Sequence, residues 1–174
     1  MTPLGQNASL ITHKISVNGL CDGQKIPPAS WAASVYVRHG TRWRAAFHTE
    51  AEIVNPAAPA AKPVAENAHR HHANAMAQDT RTDELLALEK VIWDVWKDRD
   101  AQKLDGLTAS NSQFIDIFGI HLGTKAEALK NRSGEGCEVK TVSSTDAAAT
   151  MLSPTVGILT FHGSADGTCF GQKV

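Results

Sequence analysis

The chain has 174 residues, 42% of them hydrophobic, and its 17 basic and 18 acidic side chains leave a formal charge of -1. That suits one domain, or one domain plus a satellite segment, with a core of its own. A near-neutral balance without a clustered basic face excludes an electrostatic footprint for nucleic acid, and no apolar run approaches membrane-spanning length.

The start, MTPLGQNASLITHKIS, has neither a charged opening nor a continuous apolar stretch, so no signal peptide is read and a cytoplasmic location is expected. Residues 8–17 alternate, with Ile11, His13, Ile15 and Val17 on one face and Leu10, Thr12, Lys14 and Ser16 on the other, which predicts a half-buried strand. After Pro27-Pro28, the β-branched and aromatic run Trp31 to Arg38, a turn at His39-Gly40-Thr41 and the return Trp43 to Glu50 predict a hairpin. Its second arm puts His48 and Glu50 on one face.

From Asn55 the composition changes to NPAAPAAKP and an alanine-rich run with little apolar periodicity, which reads as a linker. Extended, such a segment reaches about 100 Å, enough to cross a small domain. Thr82 before Asp83-Glu84 reads as an N-cap, and Leu85, Leu86, Leu88, Ile92, Trp93 and Trp96 supply the apolar stripe of the helix that follows. A short helix is expected around Ala101 to Leu107, a strand over Ser112 to Phe118, and a turn over Gly119 to Gly123. Thr124 and Glu127 form a capping box for a helix to Asn131. Two strands, about Glu138 to Ser144 and Ala147 to Leu152, complete the order before the last segment.

That last segment repeats the first. Residues 8–26, ASLITHKISVNGLCDGQKI, align with 156–174, VGILTFHGSADGTCFGQKV, matching Thr12 with Thr160, Ser16 with Ser164, Gly19 with Gly167 and Cys21 with Cys169. A repeat defines the structural unit, and here the chain begins late in one unit and stops partway through the next. The three cysteines are an odd number without a secretory signal, so reduced thiols are expected, with Cys21 and Cys169 in a shared structural slot.

Two stretches resemble the nuclear transport factor 2-like superfamily, which includes SnoaL-like and ketosteroid-isomerase-like proteins. FIDIFGIHLGTKAEALKN (Phe114 to Asn131) is similar to its strand, glycine turn and third helix, and SVYVRHGTRWRAAFHTE (Ser34 to Glu50) is similar to its closing hairpin. The resemblance implies an α+β fold in which a cone-shaped, curved, mostly antiparallel sheet packs on three helices. The order departs from the family, because the hairpin comes first. Residues 7–52 would then supply the repeat strand and hairpin, 53–81 the linker, and 82–174 the helices and remaining strands. The closing hairpin either folds back as in a circular permutant or inserts into a partner as a domain swap, unless the chain is a piece of a longer tandem protein. A homo-oligomer is expected. The superfamily holds both enzymes and proteins of no known reaction, so it implies a scaffold rather than an activity.

Asp116, set between Phe114 and Phe118 on one strand face, is the leading acid/base candidate, against a local hydrogen-bonding role. His48 beside Glu50 offers a proton-transfer pair or an ordinary polar face. His121 and His162 are further candidates. Trp93, Trp96, Tyr36, Phe114 and Phe118 suit the walls of a pocket for a small apolar molecule, or the core. His69, His71 and His72 present metal-type ligands within what reads as a solvated linker, so no metal is expected, and no phosphate-binding glycine loop calls for a nucleotide cofactor. Three readings follow: a small-molecule-binding protein, an isomerase, dehydratase or cyclase using Asp116, His48 and His121, and an assembly protein with a filled cavity.

Overall fold

The computed structural model describes residues 1–21, 24–54 and 80–173. Most of the expected linker, with His69, His71 and His72, lies outside the described residues. Among them the fold is α+β, with three helices and antiparallel strands throughout the paired sheets.

The N-terminal part is a four-stranded sheet in the order β1 (Thr2–Pro3), β2 (Ala8–Ser16), β5 (Ala29–His39) and β6 (Arg42–Glu52). The expected hairpin is present and longer at both ends, running from Ser30 opposite Glu52 to His39 opposite Arg42. Gly40, at φ 60°, takes the left-handed turn conformation that glycine enters at least cost. Ala8, Ala32 and Val35 are buried in this sheet.

Between β2 and β5 lies a small hairpin of β3 (Leu20–Cys21) and β4 (Gln24–Lys25), with Leu20 opposite Lys25 and Cys21 opposite Gln24. The second repeat copy builds the same device. In β10 (Val156–Cys169) and β11 (Gln172–Lys173), Thr168 stands opposite Lys173 and Cys169 opposite Gln172. The sequence repeat is thus a repeat of register.

Helix α1 (Thr80–Lys97) begins before Thr82, contrary to the expected cap. Thr82 is buried, and its hydroxyl accepts the amide of Ala149 at 3.1 Å, tying α1 to the sheet beneath. Helix α2 (Ala101–Leu107) is capped by Asp100, whose carboxylate accepts the Lys103 amide at 2.9 Å. Helix α3 (Lys125–Ser133) carries the expected capping box, with Thr124 Oγ1 accepting from Glu127 N and Glu127 Oε2 from Thr124 N.

The strand expected over 112–118 is cut to β7 (Phe114–Ile115), because the chain turns at Asp116 and returns as β8 (His121–Leu122). Conversely, the two strands expected over 138–152 are one, β9 (Cys137–Ser153), which pairs with β10 along its length. The register shifts where Asp146 adopts φ 55°, an irregularity that bends the ladder without ending it. Helix α1 packs on this β9–β10 ribbon, with Trp93 edge-on to Phe161 at 5.3 Å.

The N-terminal sheet meets the rest of the chain at the 111–121 segment. Val54 N donates to Phe118 O at 2.9 Å, and Asn111 Nδ2 to Pro3 O at 3.3 Å. Gly119 permits the approach, since a Cβ there would stand 2.0 Å from Glu52 O and its φ is +70°. Gln113 ties the layers through side chains, its oxygen accepting from Thr12 Oγ1 at 2.7 Å and its amide donating to Thr2 Oγ1 at 2.7 Å.

The expectation of reduced thiols does not hold for Cys137 and Cys169, which form a disulfide. They are directly opposed residues of β9 and β10, so the strand register itself brings the sulfurs together. Among the described residues no helix is long and apolar enough to cross a membrane.

Candidate functional site

Spacing on α1 sets Glu89, Ile92, Trp93 and Trp96 along one face, since residues three and four apart are neighbours on a helix. Leu104 of α2, Phe114 of β7 and Arg132 of α3 close the other sides of a cavity of about 90 Å³. Trp93, Trp96 and Phe114 therefore come together at this cavity, and Tyr36 lies apart from them. Behind Trp96 and Arg132 a narrow cleft of about 20 Å³ is lined by Asp116, Phe118, Cys137 and Phe170.

Arg132 is the residue that the sequence reading missed. Its guanidinium lies 4.7 Å over the Trp96 ring and 5.9 Å from that of Phe114. It makes no hydrogen bond or ion pair among the described residues. Burial pulls its pKa below the ordinary arginine value, while the charges of Asp116 and Glu89 act in the opposite sense. A usable signal existed, because Arg132 follows buried Ala128 by four residues and so shares its face of α3.

Asp116 is buried, yet its carboxylate serves the turn. Oδ1 accepts the amides of Phe118 at 2.9 Å and Ile120 at 2.8 Å, while Asp116 N donates to Ile120 O. The local hydrogen-bonding alternative describes it.

The histidines lie elsewhere. His121 stacks on Trp31 with centroids 4.2 Å apart and contacts Gln113 Oε1 through Nε2 at 3.1 Å. His48 Nε2 reaches Glu50 Oε1 at 3.0 Å and its Nδ1 reaches Ser34 Oγ at 2.8 Å, a three-residue chain across β5 and β6. His48 and Glu50 are half exposed, whereas Ser34 is buried. Among the described residues no hydrogen bond or ring contact joins Asp116, His48 and His121.

Tyr36 lines a separate open cleft of about 230 Å³ with Met1, Ser9, Ile11 and Trp43. His162 is exposed on β10. A larger groove of about 310 Å³ runs along β9, β10 and β11, but it is an open surface with charged walls from Glu138, Lys140, Asp166 and Lys173. The smaller cavity has aromatic walls and one half-buried cation, features that suit a ligand site.

No family model matches the chain, and neither the curated proteins nor the solved structures contain a match.

Proposed function

We propose that the chain is a small-molecule-binding protein of the nuclear transport factor 2-like kind, with the cavity under α1, α2 and α3 as its site. The observation that carries this reading is the convergence of Trp93, Trp96 and Phe114 on one cavity, with Ile92 and Leu104 beside them and Glu89 and Arg132 as its two charged walls. In this account the N-terminal sheet closes the cone within its own chain, a view supported by the Val54–Phe118 hydrogen bond and the Gln113 links. The disulfide favours an oxidising compartment over the reducing cytoplasm.

The acid/base alternative has less support, because Asp116 Oδ1 is tied to two amides. Assembly into a homo-oligomer is the second reading that an observation favours. Trp43, Ile117, Leu20 and Phe170 are exposed at 47%, 60%, 71% and 53%, and assembly would take these side chains out of water.

Thermal-shift screening of a small-molecule library tests the binding reading. A ligand at about 100 times its Kd stabilises the folded state by about 2.7 kcal/mol, so hits should raise Tm in the parent chain and not in Trp96→Ala. A library that leaves Tm unchanged in both would refute the reading.

A further inference from the structure

Arg132 presents five N–H donors in a planar fork, and none finds a hydrogen-bond partner among the described residues. Arg132 is half-buried, and the part of a cation that leaves water is costly unless it is paired. Two carboxylates are near enough for their charges to be felt, Asp116 and Glu89, but one oxygen of each is committed to another donor. Asp116 accepts the Phe118 and Ile120 amides, and Glu89 accepts the indole N–H of Trp93. Neither forms an ion pair with Arg132.

Resting on the binding reading above, we infer that the ligand of this cavity is a small monocarboxylate whose charged end is held by Arg132. A carboxylate matches the guanidinium fork with two parallel hydrogen bonds, which a neutral amide cannot reproduce. The acidic neighbours Asp116 and Glu89 oppose any anion and weigh about twice as heavily against a dianion such as phosphate as against a monocarboxylate. The remaining walls, Trp96, Ile92, Leu104 and Phe114, accept a short apolar tail. A volume of about 90 Å³ restricts that tail to a few carbons, since a dry cavity of about 150 Å³ is filled by benzene.

The test is a titration of the full chain with propionate and with propionamide, reading the indole N–H signals of Trp93 and Trp96 in ¹H–¹⁵N spectra. Propionate should shift them saturably and bind at least about tenfold more tightly than propionamide, the difference of a charge-assisted fork. Arg132→Gln should remove that preference, bringing the two compounds to within about twofold of each other. Equal binding of the two compounds by the parent chain would overturn the carboxylate inference while leaving the pocket as a binding site. If neither compound moves either signal in the folded protein, the carboxylate inference is overturned, while the pocket reading is decided by the library screen. Should Arg132→Gln fail to fold, the comparison in the parent chain decides alone.

Discussion

At Asp116 one carboxylate oxygen holds two backbone amides, so its first duty is to shape the turn between β7 and β8. Asp116→Ala strands both donors and should destabilise the fold by about 1–3 kcal/mol, measurable by urea denaturation, whereas an unchanged midpoint would return Asp116 to the list of catalytic candidates. Gly119, next to it, meets Glu52 O and sits at positive φ. Gly119→Ala combines backbone strain with a clash and should cost about 1–3 kcal/mol, seen as a lowered Tm. The alternation around Asp116 suggested a strand, but alternation does not reveal that a side chain will compete for the backbone amides and end the ladder. Arg132 was hidden for a related reason. On a helix that also carries Lys125, Glu127 and Lys130 its charge resembles a solvated face, and only the burial of Ala128 marks the inward side.

Among the elements, the repeat was the most legible feature, because the motif Cys-x-Gly-Gln-Lys dictates the same tight hairpin at β3–β4 and at β10–β11. The capping box of α3 and the β5–β6 hairpin were likewise readable from local chemistry. The disulfide was not, since pairing of Cys137 with Cys169 depends on the long β9–β10 register across 32 residues, and an odd cysteine count gives no pairing rule. Peptide mapping without reductant should find these two cysteines linked. Their reduction should destabilise the fold by about 2–4 kcal/mol, the usual worth of closing a loop of that length; an unlinked pair of peptides would contradict the arrangement.

For the molecule as a whole, the four-stranded N-terminal sheet and the three-stranded β9–β10–β11 sheet share no strand pairing among the described residues, and the N-terminal one is attached through the 111–121 segment. That attachment was legible only as a need for a closing hairpin, because the residues that make it, Thr2, Thr12, Gln113 and His121, form a network across more than a hundred positions. Gln113→Ala removes its centre and should lower stability by about 1–3 kcal/mol, with the loss shared by the N-terminal sheet if the layers unfold together. The central claim is that the α1–α3 cavity holds a small molecule. Native mass spectrometry of the freshly purified full chain, with analysis of whatever unfolding releases, tests it most directly. The account expects a small-molecule mass on the parent chain, in monomer or oligomer, that Trp96→Ala does not retain. A parent chain that carries no adduct, and that binds neither propionate nor any member of a ligand library, would contradict it.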